Sequence, residues 1–155
     1  MDMDEALLPL DPAFLSVLRI TSAGFALILL ALALVGEAVL PGLPGAVLVP
    51  ALVLGGWLVQ ALPARRFRRW GYQLGPDQLR IVHGHLFYSD TVVPLGRVQH
   101  IDVHQGPLAR RYGLAMLTLH TAGNHNSSVS LPGLKHADAL AMREAIRLHI
   151  KAAQA

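Results

Sequence analysis

The chain has 155 residues, 53% of them apolar and only 15% charged, against about 25% charged in an ordinary soluble domain. That balance excludes a disordered chain, a coiled coil and a typical cytosolic globule, and the lack of cysteine excludes disulfide scaffolds, zinc ribbons and thiolate chemistry. The net charge of +3 hides two unlike parts: residues 1–64 set Arg19 against Asp2, Asp4, Glu5, Asp11 and Glu37, while residues 65–155 hold the other twelve basic residues, five acids and all eight histidines.

Two stretches carry no charge at all, 20–36 and 38–64. A spanning helix needs about 20 mainly apolar residues. Asp11-Pro12 is an N-cap followed by a first-turn proline. A helix from there to Gly36 would be about 37 Å long. The turn residues Pro41, Gly42 and Pro44 force a tight reversal. The sequence therefore predicts a two-helix transmembrane hairpin, with spans at about 18–36 and 45–62. Pro50 and Gly55-Gly56 are kink points that lipid tolerates. Ala51 and Gly55, like Ser22 and Ala26, fall four apart and permit close helix approach. The acidic first eleven residues argue against a secretory signal. The rival reading is a buried helical hairpin in a soluble protein.

Arg65, Arg66, Arg68 and Arg69 follow the second span, whereas the connecting loop has only Glu37. The positive-inside rule puts the arginines, and with them both termini, on the cytoplasmic side of the membrane. Beside a span, this cluster reads as a topology determinant and a contact for anionic lipid rather than a nucleic-acid patch. Residues 65–69 thus form a junction between a hairpin region, 1–64, and a cytoplasmic domain, 70–155.

Beyond Trp70, short apolar runs alternate with Gly, Pro, Asn and Asp, as in an all-β domain. Strands are expected at 71–74, 78–83, 86–93, 98–105, 114–121 and 128–131. Alternation puts Val98, His100, Asp102 and His104 on an outer face. It puts Arg97, Gln99 and Gln105 with Ile101 and Val103 on the inner one. Residues 137–152 have helical periodicity.

The ordered blocks carry a resemblance. Asp77-x-Leu79-x-Ile81-x-x-Gly84 is followed by Pro94-Leu95-x-Arg97-Val98-Gln99-His100-Ile101-Asp102. Then come Gln105-Gly106-Pro107-Leu108-x-Arg110, Gly113-Leu114-Ala115-x-Leu117-x-Leu119, and Leu131-Pro132-Gly133-Leu134. This pattern resembles the second bacterial pleckstrin-homology-like (PH-like) family, membrane-flanked domain proteins of the YdbS type, over the whole chain. The resemblance implies two near-orthogonal antiparallel sheets of about seven strands capped by a C-terminal helix. The seventh strand would lie near 67–70 or 89–91. It also implies oligomeric assembly or a companion membrane protein with several such domains. It brings no catalytic residues.

Arg97, Gln99, Asp102, Gln105 and Arg110 are the polar positions of these blocks. Their alternative roles are a polar site and hydrogen bonds that fix loops. His100-x-Asp102-x-His104 can converge on a metal, joined by His83, His85 or His120. The competing reading is a polar strand face. Tyr88 and the strip Met116, Thr118 and His120 are candidate interface positions, since interface cores are depleted of charge. No nucleophile elbow, Walker A loop or dinucleotide fingerprint occurs. Nothing points to a cofactor or to nucleic acid. The expected function is non-enzymatic: a bilayer-anchored oligomerisation or partner-binding module. Two alternatives stay open, an anionic-lipid sensor and a His-based metal protein.

Overall fold

The structure, a computed structural model, describes residues 7–39, 42, 45–84, 87–122 and 128–154. Helix α1 (Ala13–Val39) packs against α2 (Leu48–Arg68). Both are long and apolar enough to cross a membrane. Only 6% and 11% of their most apolar stretches are buried. Phe25, Leu27, Ile28, Leu32 and Val53 face outward. That disposes of the soluble-core reading: so large an apolar surface needs lipid around it. Gly55 is buried, and a Cβ there would lie 3.5 Å from the Ala26 Cβ, so the helices touch where the small residues fall. Residues 40, 41, 43 and 44 of the turn lie outside the described residues.

Glu37 holds the hairpin closed. Its carboxylate accepts hydrogen bonds from the N–H groups of Gly45, of Val47 at 3.1 Å and of Leu48 at 3.3 Å. These are the orphan donors of a helix start, and the residue at α2's own cap position, Val47, supplies no side-chain bond. At the other end α2 runs through Pro63 to Arg68, six residues past its expected end. Arg65, Arg66 and Arg68 therefore form its last turn, where cations complement the helix dipole.

Six strands follow: β1 (Gly71–Leu74), β2 (Gln78–Gly84), β3 (Tyr88–Pro94), β4 (Val98–His104), β5 (Leu114–Thr121) and β6 (Ser128–Lys135). They form two antiparallel three-stranded sheets, β1-β2-β3 and β4-β5-β6. A short helix, α3 (Pro107–Arg111), joins β4 to β5, and α4 (His136–Gln154) ends the chain. Leu79, Ile81 and Val93 from the first sheet meet Leu117, Leu119 and Leu131 from the second. Ala139, Met142 and Ile146 of α4 close the core.

No seventh strand occurs among the described residues. Residues 67 and 68 are helical and 89–91 lie inside β3. The free side of β1 instead meets the segment before α1. Leu8 pairs with Tyr72 through N–H to O bonds of 2.8 and 3.0 Å. Three residues on, the Asp11 N–H donates to the Gly133 carbonyl of β6 at 3.0 Å. The side chain of Asp11 accepts from the Ala13 N–H at 2.8 Å, starting α1. Leu10 is 3% exposed and part of the β-domain core. Residues 8–11 thus strap both sheets to the first membrane helix.

The last strand, expected at 128–131, runs on through the Leu131-Pro132-Gly133-Leu134 block to Lys135 as β6. Leu131 pairs with Leu117 and Leu134 with Ala115, so Pro132 and Gly133 together oppose the single residue Met116, a bulge. Pro132 has no N–H for the ladder. Gly133 sits at φ +71°, and a Cβ there would meet the Phe14 ring at 2.6 Å. The bulge is where the strap docks.

A second bulge overturns the expected faces at the start of β4, while Ile101 and Val103 pack on the core as expected. Register shifts between Val98 and His100, which pair with Thr121 and His120, so Gln99 is the extra residue. Val98 is buried rather than outward, and Gln99 is exposed rather than inward. Arg97, also expected inside, lies exposed in a 3-10 turn (Leu95–Arg97). Alternation cannot register an inserted residue.

Replacing Leu10 by Ala should lower the stability of the folded β-domain by about 2–5 kcal/mol, as core truncations do. Thermal unfolding of the full chain in detergent measures this, with Leu7→Ala, at an exposed position, as the mild comparison.

Candidate functional site at the membrane-facing end of the domain

The register of the first sheet builds a cleft. Gly71 pairs with Val82, and Gly84 with Tyr88. Side chains two apart share a face, so Gly71, Val82, Gly84 and Tyr88 all belong to the outer face, and two of the four have no side chain. The gap left over these glycines is walled by Arg68, Arg69 and Trp70 at the end of α2, and by Leu7 and Pro9 of the strap. Its volume is about 630 Å³. A Cβ on Gly84 would come within 2.9 Å of the Phe87 carbonyl oxygen, so the backbone at Phe87 leaves no room for a side chain at this position. Trp70 stacks on His83 with ring centroids 4.7 Å apart and planes at 22°.

This arrangement gathers Arg68, Arg69 and Tyr88 from the expected site residues. Arg65 and Arg66 are exposed one turn earlier on α2 and do not line the cleft. Sequence reasoning missed Leu7, Pro9, Trp70, Gly71 and Gly84. The strap has no hydrophobic period of its own, and the glycines declare themselves only once the register is known.

The other candidates lie elsewhere. In the second sheet, Asp102 gathers three imidazoles: His100 Nε2 at 2.8 Å, His120 Nε2 at 3.2 Å and His104 Nε2 at 3.9 Å. The rings of His100 and His120 are 5.8 Å apart. The carboxylate thus occupies the centre on which the ring nitrogens converge. Among the described residues no group of three or more such side chains is disposed to hold a metal ion. His85 lies outside the described residues, and His83 is engaged with Trp70.

Thr118 is 7% exposed, with its hydroxyl 3.0 Å from that of Ser130, so the strip with Met116 and His120 is not a continuous surface. Met116 is exposed and His120 is tied to Asp102. Gln105 donates from Nε2 to the Leu114 carbonyl at 2.8 Å, spanning the α3 connection. Arg110 is exposed on α3. On the first sheet Arg80 Nε donates to Asp90 Oδ1 at 3.0 Å, linking β2 to β3. The Arg80 hydrogen bond holds the Asp90 carboxyl below the usual aspartate range. The pairing therefore survives as pH falls through that range and is lost only below it.

A hairpin of two apolar helices carrying two three-stranded antiparallel sheets and a C-terminal helix defines a membrane-anchored PH-like protein. Residues 16–149 match the family described as Bacterial PH domain, and the chain belongs to that family. It is similar to the UPF0699 transmembrane protein YdbS of Bacillus subtilis (strain 168), with 33% identity over 101 residues. That match covers 61% of this chain and 62% of the relative, so the chain spans less than two thirds of the relative's length. It is also similar to a solved DUF1696 family protein with a pleckstrin-homology domain from Shewanella loihica PV-4. There the TM-score is 0.42 and the identity 18%, over 55% of this chain and 74% of that one.

Replacing Gln105 by Ala removes the only side-chain bond to the Leu114 carbonyl among the described residues. It should cost about 1 kcal/mol, read as a lowered Tm of the full chain in detergent. Gln105→Glu should cost more, because its carboxylate would face the carbonyl with no proton to share.

Proposed function

We propose that the protein is a non-enzymatic, inner-membrane partner-binding module with both termini in the cytoplasm. Its PH-like domain takes a strand from another polypeptide along the outer edge of β3. The chemistry of the domain supports this reading. Asp102 is engaged by His100 and His120, and Gln105 by a backbone carbonyl. Turn-forming and strand-forming positions, rather than a convergent reactive set, make up the sequence blocks.

The observation that carries the proposal is the state of the sheet edges. Unpaired edges are templates for association, and proteins commonly blunt them. β1 is met by Leu8, β4 is broken by the bulge at Gln99, and β6 by the bulge at Pro132 and Gly133. β3 runs in unbroken register, from Gln78↔Pro94 to Gly84↔Tyr88, and unlike β1 it has no bridge to a further segment among the described residues. Among the described residues no backbone group bonds its other side. Val92, 46% exposed, gives that edge an apolar contact. Strand addition of this kind draws affinity from the main chain and selectivity from alternate side chains. Anchoring in the bilayer raises the effective concentration of any membrane-bound partner. The partner is a second copy or a companion membrane protein with PH-like domains.

Native mass spectrometry and crosslinking of the full chain from its own membranes test this. A discrete complex is expected, weakened at least about tenfold by Val92→Lys, an edge charge, and unaffected by Met116→Lys on the other sheet. A strict monomer with no copurifying chain, or equal loss in both variants, would overturn it.

A further inference from the structure

We propose that the cleft between the end of α2 and the outer face of the first sheet binds the phosphate headgroup of an anionic phospholipid. The lipid belongs to the leaflet from which α2 emerges.

Position comes first. The uncharged part of α2 ends at Ala64, and Arg68 lies four residues further along the same helix, a rise of about 6 Å. The headgroup layer of one leaflet is about 5–8 Å deep. The guanidinium groups at the cleft therefore stand at the level of lipid phosphates. β1 starts three residues after Arg68 and pairs antiparallel with β2. Gly84 and Tyr88, at the adjoining ends of β2 and β3, consequently lie past Gly71 towards the membrane. Sheet register directs this end of the domain to the bilayer.

Chemistry agrees with position. Arg68 and Arg69 contribute two cationic forks, the group suited to bidentate phosphate contact. Among the described residues that line the cleft none is acidic. Leu7, Pro9 and Val82 supply an apolar wall for the glycerol and upper acyl carbons, and Trp70 and Tyr88 are amphipathic rings of the interfacial type. A volume of about 630 Å³ is in the range of small-molecule sites. Phe87, which does not line the cleft, is 87% exposed, and its neighbour Tyr88, which does, is 74% exposed. Aromatic rings left bare in water at the membrane-facing end belong in the interfacial layer. A soluble phosphate would use the arginines but would leave these rings without a role, so the lipid is the ligand assigned.

The experiment uses the full chain carrying Trp57→Phe, which leaves Trp70 as its single indole. In neutral detergent, short-chain phosphatidylglycerol, short-chain phosphatidylcholine and inorganic phosphate are titrated against Trp70 fluorescence. Phosphatidylglycerol should give a saturable change that phosphatidylcholine and inorganic phosphate do not. Arg68→Gln with Arg69→Gln should weaken it at least tenfold, while Arg65→Gln with Arg66→Gln, one turn away, should leave it within threefold. Equal responses to the two lipids would overturn the proposal. So would saturation by inorganic phosphate alone, which would make this a soluble-anion site. Both comparisons are made on a chain with all its arginines, so they hold even if an arginine variant misfolds.

Discussion

The segment from Leu8 to Asp11 fixes the domain on its anchor. It bonds to Tyr72 in one sheet and to Gly133 in the other, and it buries Leu10 between them. Two residues later it becomes the first membrane helix. The second membrane helix enters β1 through Arg69 and Trp70. A domain joined only through β1 would pivot on a two-residue link. The strap adds a second attachment, made of backbone hydrogen bonds and a core leucine, and removes that freedom. Placing Leu10 in the core also makes folding of the β-domain depend on chain that lies before the membrane hairpin.

Much else follows from that attachment. Leu7 and Pro9 wall the cleft only because Leu8 is paired with Tyr72. Phe14 can lie over Gly133 only because the bulge in β6 turns a residue without a side chain towards it. The hairpin is secured at its far end by Glu37, whose carboxylate caps α2. The two ends of the molecule therefore use one device: an acidic side chain that satisfies the first N–H groups of a helix, Asp11 for α1 and Glu37 for α2. The family match from residue 16 to 149 takes in both helices as well as the sheets, in keeping with hairpin and domain acting as one unit.

The hairpin was legible because lipid demands long uncharged runs, and 20–36 and 38–64 contain little else. The strands were legible from alternation: Leu79 and Ile81, or Leu117 and Leu119, are buried as their period predicts. The faces of β4 were not, because a single inserted residue at Gln99 shifts the parity on one side of it. Glu37 was visible as a charge but not as a cap, since its partners lie eight to eleven residues away across a turn. The cleft was half legible. Its arginines stand out in composition, but its floor is a pair of glycines brought into line by strand pairing. Of the strap only Asp11 was legible, as the N-cap of α1, because Leu7, Leu8 and Leu10 follow neither a helical nor a strand period long enough to read.

A domain that stands on the bilayer as proposed puts Phe87 against the headgroups and Asp77 away from them. With no cysteine in the chain, a single spin label can be placed by Phe87→Cys, or by Asp77→Cys in the turn at the opposite end of the first sheet. Electron paramagnetic resonance of each labelled chain in lipid nanodiscs then compares relaxation by oxygen, which prefers the bilayer, with relaxation by a water-soluble nickel chelate. The account predicts that the label at 87 is shielded from nickel and reached by oxygen, while the label at 77 is fully open to nickel. Equal, water-like accessibility at both positions would contradict it.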